Sequence, residues 1–282
     1  MTGIRRRPDT PADGPRWVVR GRPVSSYLAE ALGTAWLVLA ALTAVSFTMR
    51  ADGGLPSSWP LTVRLAVVGV SVGGSLAVFS LTPPGKESGA HLNPAVSLFM
   101  ALRGVLGVGD LLAYSVCQLG GSVIGVLVAR GIWGERVTDV HDGLIQPGPG
   151  WNGAAVVSLG EAVSTAVLLC VLAAMTSRPR PRSTPWVTGA TVALLIASTG
   201  SRTGASFNPG RNFGPHIVSG DYHLFWPYML APLGGALVAA SALALFRPGS
   251  KAWTAKVCCE RDLHRYRHSR PRPRHHTFSS PR

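Results

Sequence analysis

Six stretches of the sequence stay apolar for about the thickness of a bilayer: Tyr27–Thr48, Leu61–Leu81, Asp110–Ile132, Ala154–Thr176, Trp186–Gly200 and His223–Phe246. A helix needs roughly 20 such residues to cross the hydrocarbon, where every backbone N–H and C=O must find its partner inside the protein. The runs therefore predict six membrane-spanning helices, the fifth being the shortest. Two further apolar stretches, Pro94–Leu102 and Pro209–Val218, are too short to cross. Nearly the same phrase introduces each: "SGAHLNPAV" from Ser88 to Val96, and "GASFNPGR" from Gly204 to Arg211.

The repetition extends beyond the phrases. The first run opens "AEALGTAWLVLAAL" and the fourth "GEAVSTAVLLCVLAAM", so that Glu30-Ala31 and Thr34-Ala35 correspond to Glu161-Ala162 and Thr165-Ala166. Each half holds three runs, with one short segment before the third. Three is odd, so the halves enter the membrane in opposite senses, as an inverted repeat covering about 26–132 and 154–246. A short segment must dip in and return, with its irregular backbone buried in protein or lining water. Asn-Pro suits the start of a helix at that depth. Asn is a strong N-cap, and Pro fits the first helical position, where no N–H is needed. Inverted symmetry brings the two helix starts together, with two positive dipole ends and two Asn amides at the centre.

Charge fits the same frame. The chain is 46% hydrophobic and 14% charged, against about a quarter charged in a soluble domain. The net charge of +14 invites a nucleic-acid partner. However, the excess lies in the two tails, without aromatic interleaving or a binding module, so none is expected. With both termini cytoplasmic, all Lys and Arg except Arg50, Arg64, Arg130, Arg136, Arg202 and Arg211 fall on the inner side, which satisfies the positive-inside rule. No cleavable signal peptide is expected: the first run follows a long arginine-rich leader and is long enough to span. Residues 1–25 read as a basic cytoplasmic tail, 26–246 as the membrane domain, and 247–282 as a basic disordered tail that could touch anionic lipid headgroups.

Reactive constellations are not evident. His91 and His216 lack a second ligand, Ser97 lacks a base, and no phosphate loop is present. Cys117 and Cys170 lie inside apolar runs, while Cys258 and Cys259 are adjacent in the tail. This suggests no disulfide framework, no metal, no cofactor and no enzyme. Glu30 and Glu161 stand inside apolar runs, where an acid is a functional candidate. Each is expected to accept hydrogen bonds from the loop entering its own half. A proton relay is the alternative.

The phrases resemble the signatures of the aquaporin, or major intrinsic protein, superfamily, over about Ser26 to Phe246. The second departs once: Gly210 stands where the family usually has alanine. The resemblance implies an all-α membrane protein with six transmembrane helices and two re-entrant half-helices. It also implies a homotetramer in the cell membrane, with a pore through each subunit. Asn93, Pro94 and Ala95, with Asn208, Pro209 and Gly210, would begin the half-helices. Gly73, Ile196, Ala205 and Arg211 would form the constriction. Arg211, on the first turn of the second half-helix, is costly unless it faces water. Such an arginine and the half-helix dipoles are the known electrostatic barrier of aquaporin-type pores. Gly73 and Ala205 are small and Ile196 is apolar, where water-selective relatives commonly carry aromatic and histidine residues at the first two positions. The pattern is similar to the aquaglyceroporin and nodulin-26-like branches. It implies passage of glycerol, urea or metalloid hydroxides (arsenious, boric or silicic acid), with water. A water-selective channel and a proton-coupled secondary transporter are the alternatives. The scarcity of intramembrane acids besides Glu30 and Glu161 weighs against the transporter.

Overall fold

The computed structural model describes residues 21–50, 58–177, 182–250 and 252–258. Regular structure in them is helical. The long helices are α1 (Val24–Thr48), α2 (Leu61–Leu81), α5 (Val108–Trp133), α7 (Ala154–Thr176), α8 (Thr184–Thr199) and α10 (Phe225–Phe246). Short ones are α3 (Pro83–Ser88), α4 (Pro94–Leu102), α6 (Glu135–Thr138) and α9 (Pro209–Ser219). Five of the long helices are long and apolar enough to cross a membrane, and α8, with 16 residues, is the exception. At 1.5 Å per residue it reaches about 24 Å, short of the ~30 Å hydrocarbon core.

Local chemistry sets the ends. Pro23 in extended conformation precedes α1, so the helix starts three residues before the apolar run. Leu224, at φ 55, turns the chain into α10. Proline occupies the first turn of α3, α4, α8 and α9, where a missing N–H costs nothing.

The inverted repeat is visible in the packing. Helix α1 packs on α5 as α7 packs on α10, and α2 packs on α8 between the halves. Half-helix α4 seats against α10, and α9 against α5, so each half-helix touches the opposite half. Backbones approach closely at equivalent points. A Cβ on Gly121 would lie 2.2 Å from the Ala31 carbonyl oxygen, and one on Gly235 would lie 2.4 Å from that of Ala162. Ala31 and Ala162 are the matched residues of the two Glu-Ala pairs. Small residues at such crossings take the place of a hydrophobic driving force, which lipid does not supply. The outward faces carry exposed Leu28, Leu112, Leu159 and Leu230, as an apolar solvent requires.

Two expectations need correction. Gly73 was expected at the constriction, but it faces α8: a Cβ there would lie 2.1 Å from the Gly189 carbonyl oxygen. Along α2, Leu61, Leu65, Val68, Val72 and Leu76 form the stripe that lines the central cavity. Gly69 and Gly73 form the adjoining stripe against Ala193 and Gly189. Counting back from Asn93 passes through the extra turn of α3, which shifts the helical phase.

The second correction concerns the tails. The chain does not leave the body at 247. Residues 252–258 fold back against it, with Ala252, Thr254, Ala255 and Val257 buried. Arg22, placed in the amino-terminal tail, is also buried, and its backbone N–H donates to Asp110 Oδ1 at 2.9 Å. The remaining tail expectations fall on 1–20 and 259–282, outside the described residues.

The α2–α8 contact leads to a stability prediction. Gly73→Val should destabilise the folded protein by about 1–3 kcal/mol, the usual cost of overpacking, and lower its unfolding temperature in detergent. Gly74→Ala, at a position with open space around it, should leave that temperature unchanged or raise it slightly.

Candidate functional site

The loops ahead of α4 and α9 follow matching strained paths. Gly89, Ala90 and Leu92 have φ of 100, 52 and 49°, and Gly204, Ala205 and Phe207 have 86, 55 and 34°. Left-handed conformations at non-glycine residues cost about 1–2 kcal/mol each. Two fully buried carboxylates hold them. Glu30 accepts from the backbone N–H of His91 (3.0 Å) and Leu92 (2.7 Å), and from Gln118 Nε2 (2.7 Å). Glu161 accepts from the N–H of Ser206 (3.2 Å) and Phe207 (2.5 Å), and from Thr203 Oγ1 (2.9 Å). Each acid binds the loop of its own half. The third donors, Gln118 and Thr203, were missed in the sequence. A lone glutamine in the third apolar run was the available signal for the first.

The two asparagines link the halves. Asn93 Oδ1 caps α4 through Ala95 N–H (2.8 Å), and Asn208 Oδ1 caps α9 through Arg211 N–H (3.2 Å). Their amides cross over: Asn93 Nδ2 donates to the Phe207 carbonyl (2.9 Å), and Asn208 Nδ2 to the Leu92 carbonyl (2.8 Å). Each Nδ2 carries a second proton, and both asparagines line the cavity beside the half-helix starts. Gly210 lies at the same junction. A Cβ on it would sit 3.2 Å from both Pro94 Cδ and Asn208 Oδ1, a tight fit for the family's alanine.

The cavity holds about 250 Å³. Leu65, Val68 and Val72 on α2 and Val192 and Ile196 on α8 give it apolar lining. His91, Asn93, Asn208 and Arg211 line it too, with residues of the loops ahead of α4 and α9. Ile196, Ala205 and Arg211 come together here, and Gly73 does not. Arg211 donates from Nη1 to the Gly143 carbonyl at 2.8 Å. That carbonyl belongs to a tight turn in which His141, Asp142 and Gly143 all have positive φ. Asp142 fastens the turn by accepting from Arg130 Nε (2.5 Å) and Nη2 (2.6 Å). The Arg130–Asp142 pair was not anticipated, since the partners belong to a helix and a loop with no shared motif. His216 is a packing residue: its ring bonds Asn212 Nδ2 and the Asp221 carbonyl.

Membrane-length helices in two inverted halves, with two half-helices meeting nose to nose beside a central cavity, define a polytopic membrane protein with a re-entrant core. Residues 20–243 match the family model described as Major intrinsic protein, and the chain belongs to that family. It is 38% identical over 162 residues to "Probable aquaporin TIP4-2" of Oryza sativa subsp. japonica, covering 56% of this chain and 61% of that protein. It is 32% identical over 232 residues to "Aquaporin NIP1-1" of Zea mays, covering 79% of this chain and 75% of the relative. The solved structure of the aquaglyceroporin from Plasmodium falciparum has the same fold, with a TM-score of 0.64 at 22% identity over 78% of this chain and 95% of that one.

The carboxylates generate a graded prediction. Glu161→Gln keeps one acceptor oxygen but sets an amide against a donor, and should cost about 1–3 kcal/mol. Glu161→Leu leaves three donors without an acceptor and should abolish folded protein on size exclusion. A second expectation concerns the turn. Asp142→Asn removes the charge that holds Arg130 and should lower the unfolding temperature by several degrees.

Proposed function

We propose that the cavity is the conduction path of a passive channel for small neutral solutes and water, closed to protons and ions. One observation carries this reading. Two capped helix starts, two asparagine amides and Arg211 line one cavity together with apolar side chains of α2 and α8. A neutral polar solute exchanges its water for those donors, and its carbon face rests on Val68, Val72 and Ile196. A cation meets the two positive helix ends and the Arg211 guanidinium. Ala205 and Ile196 with Arg211 form the narrow part of the path, and Val68 and Leu65 take the place first given to Gly73. Wall side chains offering little polarity suit glycerol, urea and metalloid hydroxides as well as water. The names of the aquaporin relatives and of the aquaglyceroporin support the same class.

Glu30 and Glu161 act as braces in this reading. Each is fully buried and already accepts three hydrogen bonds. That is a poor starting point for a proton relay, and it weighs against a proton-coupled transporter. The protein would work as a homotetramer in the cell membrane with both termini cytoplasmic, its basic tails beside anionic headgroups.

Stopped-flow light scattering on proteoliposomes tests the proposal, with water, glycerol, urea and boric acid compared in one preparation. All four should permeate faster than through protein-free vesicles, without ionic current in planar bilayers. Narrowing the path with Val68→Phe or Ile196→Phe should reduce glycerol and urea flux about tenfold, roughly 1.4 kcal/mol of added barrier, and water flux less. A parent protein that passes water quickly but excludes glycerol and urea would establish the water-selective alternative. Sizeable protein-dependent proton current would overturn the channel reading.

A further inference from the structure

Val257 belongs to the stretch that follows α10, yet it lines the central cavity. It does so at the end marked by Leu76, Leu172 and Thr188, where α2 and α7 finish and α8 begins. The segment reaches this place by a reversal. Helix α10 ends at Phe246, Gly249 takes φ 84°, and residues 252–258 run back under the bundle. The contacts there are specific. Trp253 N–H donates to the Thr176 carbonyl (2.8 Å), and Val257 N–H to the Gly89 carbonyl (2.9 Å). His91 Nε2 lies 2.8 Å from the Ala255 carbonyl. Thr254 and Ala255 are completely buried, and Ala252 and Val257 are 2% exposed. Ala252, Ala255 and Val257 pack into one apolar cluster with Ala95, Val96 and Phe99 of α4.

Two of those partners, Gly89 and His91, sit in the strained loop immediately before Asn93. The segment therefore touches the loop that positions the first half-helix, and it places a valine side chain in the end of the cavity. No helix or strand of its own holds it. It is held by backbone hydrogen bonds to the bundle and by small apolar side chains packed against α4, so it is joined to the body through contacts and not through a helix of its own.

We propose that residues 252–258 are a built-in plug, an autoinhibitory segment that closes this mouth of the cavity and must leave for solute to pass. The proposal rests on the cavity being the conduction path. Occupancy of the plugged state sets the resting permeability: if closed protein outnumbers open ten to one, removing the plug raises flux about tenfold. Release would not require the six long helices to move.

The test compares the full chain with three variants in proteoliposomes, at matched protein content. The first ends at Ser250. The second is full-length Ala255→Glu, because a carboxylate cannot stay in a fully buried apolar site. The third is full-length Val257→Gly, which shortens the plug and leaves its backbone bonds intact. A synthetic peptide covering 251–282 is also added to the truncated protein from the plugged side. The expected result is glycerol and water flux about tenfold higher for truncation and Ala255→Glu, a smaller rise for Val257→Gly, and a return towards the full-chain rate with the peptide. Elution volume and unfolding temperature identify folded material. Equal flux in the full chain and in folded variants overturns the plug and leaves the channel reading standing. Loss of folding in all three variants makes the segment a structural part of the core and also overturns the plug. Absence of flux from every protein, with variants folded, overturns the channel reading itself.

Discussion

The structure depends on a pair of crossed hydrogen bonds near its centre. Asn93 donates to the carbonyl of Phe207 and Asn208 to that of Leu92. Each residue thereby caps its own half-helix and satisfies a backbone acceptor of the other half. In a medium without water, an unpaired carbonyl is expensive, so neither loop is complete without the opposite repeat. The carboxylates of Glu30 and Glu161 take two N–H groups in each of the same loops. Irregular backbone at this depth is therefore held by polar atoms from α1, α7 and the two half-helix starts, with Tyr114 of α5 and Tyr228 of α10 donating to the Ser88 and Thr203 carbonyls.

Much of this was legible in the sequence, because membrane immersion leaves few solutions. Long apolar runs can only be helices, and Asn-Pro at matching places in an odd-numbered repeat can only bring two helix starts together. The pairing of Glu30 with the first loop and Glu161 with the second followed from the same symmetry. What was not legible depended on rotation about a helix axis. Gly73 lies on the same turn as Val72, but the two face different neighbours, Gly189 and the cavity. A count along the chain carries no information about an intervening turn such as Pro83–Ser88, and a shift of one residue turns a side chain by about 100°. Arg130 and Asp142 were invisible for another reason: their meeting depends on a loop with three successive positive φ values, and only Gly143 announces one.

The carboxyl-terminal stretch teaches a different lesson. Its composition beyond Arg247, rich in arginine and proline, reads as solvated chain. Averaging over that composition hides the short string "AWTAKVC" from Ala252 to Cys258. In it, small and apolar residues are dense enough to pack against α4 and the loop before it. A window of seven residues decided what a window of thirty-six obscured.

The close approach of Gly73 to Gly189 and of Gly69 to Ala193 has a mechanical consequence. These contacts join the two inverted halves along α2 and α8, with backbone against backbone and no side chain between. Side chains in an interface act as compliant spacers, since a rotamer change can absorb a small rotation. A seam without spacers offers no hinge, and rocking one half against the other would open a void or drive carbonyl into Cα. The halves therefore behave as one rigid shell. Motion that governs passage has to arise in parts outside that shell: the loops, the turn around Asp142 and the chain ends.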